Sequence, residues 1–365
     1  MMATRALLRY AYLGLRGVAL APIAAVRRRS SLPRRCRKIL LVRTDRIGDL
    51  VLSTPFLRNV RESFPGAEVT LLGNAFTREL LHGWELVDRI LVIDRGAGAG
   101  VVRGLASEGY DLAVDMHYDY AFKTALLARQ ARARCSAGFD IGGRGALFDI
   151  PVPAHERKHF IQETFDILRA LGLQPRPCPL EVKLSPQSRA AADGLLFREG
   201  VGDRYSVFHP GGFYAAQRWP AAEFARLADS TAQLGLTPVF IGGKEDDAII
   251  REIARLLSEK AVFIPGQSIG VSAAVIARSS LFIGNNSGPL HIACALNIPS
   301  VSTMGPTDPV RFWPVSEHAC VLRADGVRHI SVEEMFTAAE TALSSEIPGC
   351  RGTRGITCTT PCHDW

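Results

Sequence analysis

The sequence predicts an α/β protein built from two parallel-sheet domains, and three observations support this prediction. From residue 38 onward, short continuously apolar runs alternate with helical stretches, as in parallel sheets whose strands are buried on both faces. The alternation stops at a proline-rich segment over residues 171–182 and then restarts. The chain of 365 residues has room for two domains of about 150 residues each.

The first predicted domain covers residues 38–180. Its strands are the apolar runs at 38–43, 69–73, 90–94 and 112–117. Helices are predicted between and after these strands, at 54–65, 76–81, 120–134 and about 160–171.

The second predicted domain covers residues 181–345. Its strands lie at 205–212, 237–243, 261–266, 281–285, 299–305 and 320–324, and its clearest helices at 221–235 and 246–259. Open parallel sheets bind ligands outside the carboxyl ends of their strands, so the loops that follow the strands are expected to hold the functional residues.

The arm before these domains, residues 1–37, accounts for the basic charge of the chain. The first 38 residues hold ten Arg and Lys side chains and no acid, whereas the whole chain has a net charge of +7. The remainder is therefore slightly acidic, and a basic groove for nucleic acid is not expected.

The arm is also amphipathic if helical, because Arg5, Arg9 and Arg16 project to one side. A second side is formed by the apolar residues Leu7, Leu8, Ala11, Leu15 and Val18. We expect residues 5–38 to bind an anionic membrane surface, with the protein peripheral on the cytoplasmic face of the plasma membrane. An ordinary arm, a helix packed on the body and a targeting segment remain alternatives. A transmembrane span is disfavoured because Arg16 would lie near mid-membrane, and a signal peptide because charge lies within the apolar run.

The eight cysteines are too sparse for a disulfide scaffold, which indicates a reducing compartment. Three of them, Cys350, Cys358 and Cys362, lie in a tail at 346–365 together with His363. Their spacing matches no standard zinc set, so a solvated or redox-labile tail is favoured over a metal site. The role of these thiols stays open.

The loop after the first strand, residues 43–55, presents Asp45 and Asp49 on either side of Gly48. A carboxylate at this position can act as a base. The same pattern also describes an ordinary helix cap and turn, which is the favoured interpretation when the motif is taken alone.

Two loops of the second domain combine glycine with polar groups. In the loop at 209–220, Gly211 and Gly212 let backbone N–H groups approach a ligand, and Arg218 offers a fork of donors to phosphate. In the segment at 284–296, Asn286 or Ser287 caps a helix that contains His291, so its positive end is a site for a diphosphate. A packed turn and an ordinary capped helix are the structural alternatives.

Together these motifs resemble glycosyltransferase family 9, the lipopolysaccharide heptosyltransferases. The resemblance rests on VRTDRIGDLVLSTPFLRNVRESFP, YDLAVDMHYDYAFKTALLAR, HPG followed by RWP, GNNSGPLHIACALNIPSV and MGPTDP, which span about residues 39–315 in this order. It implies the GT-B architecture, in which two Rossmann-like domains face a cleft, the acceptor binding mainly to the first and the nucleotide sugar mainly to the second.

The resemblance also implies roles for single residues. Asp49 falls on the family's catalytic aspartate, a general base for the acceptor hydroxyl in a transfer with inversion. Arg218 falls on the basic residue that neutralises the departing diphosphate. The implied donor-binding residues are His209, Gly211, Gly212, Glu245, Asn286, Ser287, Gly288 and His291.

Asn286 departs from the family pattern, which has an aspartate that contacts the donor at this position. An amide keeps an acceptor, loses the charge and adds a donor, so the donor can differ from ADP-heptose. No D-x-D triplet occurs in the sequence, so neither a metal-clamped diphosphate nor another cofactor is expected.

We therefore predict an inverting glycosyltransferase that moves a sugar, foremost heptose from ADP-heptose, to a lipopolysaccharide-core or lipid-linked acceptor. A transferase with another donor and a catalytically silent carbohydrate-binding homologue are the alternatives. A nucleotide-dependent oxidoreductase is disfavoured because no G-x-G-x-x-G follows a strand. The donor sugar, nucleobase, acceptor hydroxyl and oligomeric state stay open.

Overall fold

The computed structural model of the protein describes residues 12–22, 29–93, 98–154 and 157–344. The tail with Cys350, Cys358, Cys362 and His363, and the arm residues Arg5 and Arg9, lie outside the described residues. The chain forms two compact units. Unit 1 contains the residues up to Arg46 together with Ser53–Arg78 and Trp84–Cys178, and unit 2 contains Ile47–Leu52, Glu79–Gly83 and the residues from Pro179 onward. The domain limits drawn from the sequence stay predictions.

Unit 1 is built on a six-stranded parallel sheet in the order β3-β2-β1-β4-β5-β6. Its strands are β1 (Lys38–Val42), β2 (Glu68–Gly73), β3 (Arg89–Val92), β4 (Leu112–Asp115), β5 (Cys135–Asp140) and β6 (Ile150–Pro153). Continuous apolar runs correctly predicted the first four strands, whose central members β1 and β4 are buried.

Strands β5 and β6 were not predicted from the sequence, and their composition explains why. The β5 sequence CSAGFD is short of large apolar residues, although all but its last residue are buried. The β6 sequence IPVP carries two prolines, which a strand tolerates at the edge of a sheet because one side makes no ladder bonds.

The helices of unit 1 cover the two faces of this sheet. They are α1 at residues 12–22, α3 (Thr54–Ser63), α4 (Ala75–Leu80), α5 (Gly98–Leu105), α6 (Phe122–Gln130) and α7 (Phe160–Ala170), with α4 extending into the segment assigned to unit 2. The short helix α2 (Ile47–Val51) follows β1 along the chain but belongs to unit 2 by its contacts.

Unit 2 repeats the same topology in the order β12-β11-β10-β7-β8-β9. Its strands are β7 (Tyr205–His209), β8 (Thr237–Phe240), β9 (Val262–Phe263), β10 (Leu281–Asn285), β11 (Ser300–Met304) and β12 (Ala319–Arg323). Its further helices are α8 (Pro186–Arg198), α9 (Ala221–Gln233), α10 (Asp247–Leu256), α11 (Ile269–Ile276), α12 (Gly288–Ala295) and α13 (Val332–Leu343). All six strands of this half were predicted.

Each sheet has one topological switch point, where successive connections leave a central pair of strands in opposite directions. The pairs are β1 with β4 in unit 1 and β7 with β10 in unit 2. Ligands of open α/β sheets bind outside the carboxyl ends of such a pair. The loops after these four strands are therefore the places to look for a site.

Helix α1 packs on unit 1 through one stripe of its surface. The Arg16 guanidinium donates from Nε to the Gly142 carbonyl oxygen at 2.6 Å and lies 4.3 Å from the Phe122 ring centroid. Gly143 has φ of +81°, and a Cβ there would lie 2.8 Å from the Gly17 Cα, so the turn allows this close approach only with glycine. Arg16, which the helical projection placed on the basic side of the amphipathic helix, contacts the body of the protein.

The cysteines within the described residues contribute mainly to packing. Cys36, Cys135, Cys294 and Cys320 are buried, and Cys178 is half-buried. Burial raises the pKa of the Cys294 thiol to about 12, which keeps it protonated and unreactive.

Candidate active site

The carboxyl edge of the unit 2 sheet brings together three loops around His209. This residue ends β7, between the turn after β8 and the start of α12, and its side chain is almost fully buried. His209 Nδ1 lies 3.1 Å from Ser287 Oγ, and its Nε2 lies 3.6 Å from Asp246 Oδ2. The switch point of unit 2 thus carries a polar chain from Asp246 through His209 to Ser287.

Ser287 occupies the N-cap position of α12, as predicted, and the first turn of α12 contacts α2. A Cβ on Gly48 would lie 3.0 Å from His291 Cδ2, and one on Gly288 would lie 2.9 Å from the Ile47 Cβ. Asp49 lies within α2 and is 4% exposed. The structure therefore brings the aspartate-bearing helix against the helix terminus that carries Ser287, Gly288 and His291.

Asn285 joins two of the site loops through a fully buried side-chain amide. Its Oδ1 accepts hydrogen bonds from the Trp219 backbone N–H at 3.0 Å and from Thr303 Oγ1 at 2.9 Å. Its Nδ2 donates to the carbonyl oxygens of Pro210 at 2.8 Å and Gly211 at 3.0 Å. The end of β10 is thereby fixed to both ends of the 209–220 loop, a role that sequence analysis did not assign.

Replacing Asn285 by aspartate is expected to lower the free energy of unfolding by about 3 kcal/mol, because a carboxylate cannot donate to the two carbonyl oxygens and introduces a buried charge. Urea denaturation measures the loss. The matched amide-to-acid change Gln187→Glu, at an exposed position of α8, should leave the midpoint almost unchanged. Equal midpoints for both variants would contradict the assignment.

Arg218 is half-buried beside the glycine turn. Its Nε donates to the Gly212 carbonyl oxygen at 2.8 Å, which fixes the base of the guanidinium. Trp219 is fully buried, and its Nε1 donates to the Ile330 carbonyl oxygen at 2.9 Å. The tryptophan therefore anchors the loop in the core, while Arg218 supplies its positive charge.

In the acidic turn after β8, Asp246 contacts the neighbouring site loop through His209, a role that was not predicted from the sequence. Glu245 is exposed, whereas Asp246 is 3% exposed and accepts a hydrogen bond from the Gly243 backbone N–H at 3.0 Å. Burial would raise the pKa of Asp246, but the contact with His209 and the charges of His209 and Arg218 outweigh it and lower the pKa. A Cβ on Gly211 would collide with this carboxylate, which explains the glycine.

Asn286 donates from Nδ2 to the Phe312 carbonyl oxygen at 3.1 Å. Its amide thus ties the start of α12 to the 305–314 loop, a contact that an aspartate side chain cannot make. The donor contacts of Asn286 and Glu245 stay predictions.

The switch point of unit 1 holds a buried ionic cluster that sequence analysis did not identify. Asp115, at the end of β4, is paired with Arg144, and both side chains are fully buried. Asp115 Oδ1 also lies 2.8 Å from His117 Nδ1. Burial would raise the pKa of Asp115, but the hydrogen bond from His117 and the neighbouring charges of His117 and Arg144 lower it, so the carboxylate is ionised.

Asp45 lies beside this cluster, in the loop after β1. The Thr44 backbone N–H donates to His117 Nε2 at 3.1 Å, which assigns the ring proton to Nδ1. Arg43 donates to Asp45 Oδ2 at 2.9 Å, while Asp45 Oδ1 is buried without a hydrogen-bond partner. This oxygen lies 3.8 Å from His117 Nε2. The D-M-H triplet at a strand end was the available sequence signal for this cluster.

The predicted site residues therefore fall together in unit 2, at the edge where Rossmann-like sheets bind nucleotides. A family model described as glycosyltransferase family 9 (heptosyltransferase) matches residues 99–337. The chain belongs to glycosyltransferase family 9. This membership confirms the resemblance drawn from the motifs and shows that the protein is a glycosyltransferase.

Known family 9 proteins align over most of the chain. Lipooligosaccharide heptosyltransferase 2 of Haemophilus ducreyi is 25% identical over 311 residues, which cover 78% of this chain and 88% of that protein. Two solved structures share the fold. A family 9 glycosyltransferase from Veillonella parvula matches with a TM-score of 0.77 at 24% identity over 87% of this chain and 99% of that one. E. coli ADP-heptose lipopolysaccharide heptosyltransferase II matches with a TM-score of 0.73 at 22% identity over 85% and 99%. The predicted α/β fold with two Rossmann-like domains is thereby confirmed.

Proposed function

We propose that this family 9 glycosyltransferase transfers heptose from ADP-heptose to a lipopolysaccharide-core or lipid-linked acceptor, with inversion at the anomeric carbon. The observation that carries the proposal is the clustering of Arg218, Ser287 and the Asp49-bearing helix at the switch point of unit 2. The heptosyltransferase names of the aligned relatives support the choice of sugar, and the E. coli relative supports the choice of nucleotide.

In the proposed reaction Asp49 removes the proton from the acceptor hydroxyl. The acceptor oxygen attacks the anomeric carbon from the face opposite the diphosphate, and the bond from that carbon to the diphosphate oxygen breaks. One displacement of this kind inverts the anomeric centre. Arg218 and the N-terminal end of α12 stabilise the negative charge of the departing nucleoside diphosphate. We propose no metal or cofactor for this step.

Nucleotide binding provides the first test, by thermal unfolding with ADP, UDP, GDP, CDP and NAD. A ligand that binds only the folded state stabilises it by RT ln(1 + [L]/Kd), about 2.7 kcal/mol at a hundredfold excess over Kd. We expect selective stabilisation by ADP, and a weaker response in Arg218→Met. Preferential stabilisation by another nucleoside diphosphate would indicate a donor other than ADP-heptose. Stabilisation by none of these nucleotides would favour the catalytically silent homologue.

We further propose that the protein binds the cytoplasmic face of the plasma membrane through helix α1. The stripe formed by Leu13, Arg16, Gly17 and Leu20 packs on unit 1, whereas the opposite face leaves Tyr12, Leu15 and Val18 exposed, the latter two at 73% each. Basic residues of the first 38 other than Arg16 would attract anionic headgroups to this apolar face. In the described part of the chain, no helix is long and apolar enough to span a bilayer.

Vesicle flotation tests this second proposal. The wild-type protein should float with phosphatidylglycerol vesicles and much less with phosphatidylcholine vesicles. The double variant Leu15→Glu, Val18→Glu should bind at least about tenfold more weakly, because burial of one such side chain contributes about 1.5–3 kcal/mol. Phe197→Glu, at an exposed apolar position of α8, is the control and should bind normally. Equal losses of vesicle binding in the α1 double variant and in Phe197→Glu would reject α1 as the membrane-binding helix.

A further inference from the structure

The hydroxyl of Ser287 differs from the other serine caps of unit 2 in the group that it contacts. Ser185, Ser268 and Ser331 each accept a hydrogen bond from a backbone N–H in the first turn of their own helix. Ser287 makes no such bond to α12, and its Oγ lies 3.1 Å from His209 Nδ1 instead. The hydroxyl is therefore oriented by the histidine rather than by the helix that it caps.

Asp246 determines where the protons lie in the polar chain from Asp246 through His209 to Ser287. Its carboxylate is buried and ionised, accepts the Gly243 N–H, and has one oxygen 3.6 Å from His209 Nε2. A negative charge on this side favours the ring proton on Nε2, which leaves Nδ1 as an acceptor. Ser287 then donates its hydroxyl proton to Nδ1 and keeps its oxygen lone pairs for a ligand.

This arrangement is unlike a hydrolase triad, although the three residue types are the same. In a hydrolase triad the serine contacts Nε2 and the aspartate contacts Nδ1, so that Nε2 takes the proton of an attacking hydroxyl. Here the serine contacts Nδ1 of His209 and the aspartate lies beside Nε2. Ser287 also lies at the N-terminus of α12, in the loop that follows β10 at the carboxyl edge of the sheet.

A diphosphate is a poor partner for such a lone pair, because its ionised oxygens only accept hydrogen bonds. Sugar hydroxyls can donate to it. Arg218 and the backbone N–H groups of the same edge supply the donors that a diphosphate requires. We propose that Asp246 and His209 hold Ser287 as a hydrogen-bond acceptor for a hydroxyl of the transferred sugar, a role that rests on the proposed function of this site. Asp246 is thus a positioning residue that acts through His209.

Calorimetric titration with ADP and with ADP-heptose tests this role, because the two ligands differ only in the sugar. Asp246→Ala and Ser287→Ala should each raise the Kd for ADP-heptose at least tenfold and change the Kd for ADP less than twofold. Asp246→Asn should recover part of the loss, since an amide oxygen can still accept from Nε2–H. Asp247→Asn, which removes the neighbouring charge that pairs with Arg251 at 3.7 Å, is the matched control and should bind both ligands normally.

The double variant Asp246→Ala, Ser287→Ala separates a relay from independent effects. If Asp246 acts through Ser287, the double variant should bind ADP-heptose no more weakly than Ser287→Ala. Multiplied losses, or a parallel loss of ADP binding, would reject the relay and leave Asp246 with a structural role in the turn. If the wild-type protein bound neither ligand, the proposed function itself would fail and the sugar contact with it.

Nitrogen chemical shifts of labelled histidine give a readout that needs no ligand. His209 should carry its proton on Nε2 in the wild-type protein and in Ser287→Ala. The Nδ1–H form should become populated in Asp246→Ala. A His209 ring with Nδ1–H in the wild-type protein would overturn the proposal, even if the nucleotide site were confirmed.

Discussion

Replacing Asp49 by asparagine is expected to lower kcat by about 10²–10⁴-fold, the range that a positioned general base contributes. The variant keeps the size of the side chain and loses only the group that takes the acceptor proton. Affinity for ADP should change less than twofold, because Asp49 has no proposed contact with the nucleotide. The measurement is turnover with ADP-heptose and a lipopolysaccharide-core acceptor, beside ADP titration of the same sample.

Glu62→Gln is the matched control for this change. Glu62 is an exposed acid on α3, near in sequence and outside the proposed machinery, so its variant should turn over at the wild-type rate. A wild-type rate in Asp49→Asn would remove Asp49 as the base. If the variant lost both ADP binding and turnover, Asp49 would instead be assigned to the packing of α2 against α12.

Replacing Arg144 by methionine is expected to cost about 3–5 kcal/mol of stability, because it leaves the fully buried Asp115 carboxylate without its cationic partner. Arg144 also donates to the His117 carbonyl oxygen at 3.2 Å and to Asp119 Oδ1 at 2.7 Å, and these acceptors lose their donor as well. Urea denaturation at pH 7 gives the magnitude. Arg134 is a surface arginine with a 76% exposed side chain, and its Nε lies 3.5 Å from Asp111 Oδ1. Arg134→Met should cost at most about 1 kcal/mol of stability.

The pH dependence of the stability lost in Arg144→Met shows whether the unpaired Asp115 charge causes the loss. The pKa of Asp115 is lowered in the folded protein, so its stabilising contribution is present above the unfolded pKa and is lost as the pH falls through the folded pKa. Protonation also removes the unpaired charge in the variant. The difference between wild type and Arg144→Met should therefore shrink from pH 7 to pH 4. A difference that stayed constant with pH would indicate lost packing rather than a buried charge.

The positions of most elements were readable from the sequence because burial on both faces of a parallel strand leaves a continuous apolar run. This held for β1 and for all the strands of unit 2. It failed for β5, whose small residues carry little apolar signal, and for β6, whose prolines are compatible only with an edge position. Whether a strand lies at an edge is decided by the sheet order, which local sequence does not contain.

In the candidate site, too, some features were predictable from the sequence and others were not. Glycine, arginine and serine in loops after strands were recognisable because their backbone freedom and hydrogen-bonding groups suit a diphosphate, and their order along the chain indicated the family. The role of Asn285 was not readable, because its four partners come from the 209–220 loop and β11. An asparagine that crosslinks loops and one that faces solvent have the same local pattern.

The sequence by itself therefore determined the fold class, the family and the loops proposed to carry the chemistry, since these depend on residue types at fixed spacing. Tertiary structure decided that Asp246 contacts His209, that Arg16 packs on the protein, and that Asp115 pairs with Arg144. These choices depend on which side chains are buried together. Burial makes an ionic group require a partner, and only the folded chain determines which partner it finds.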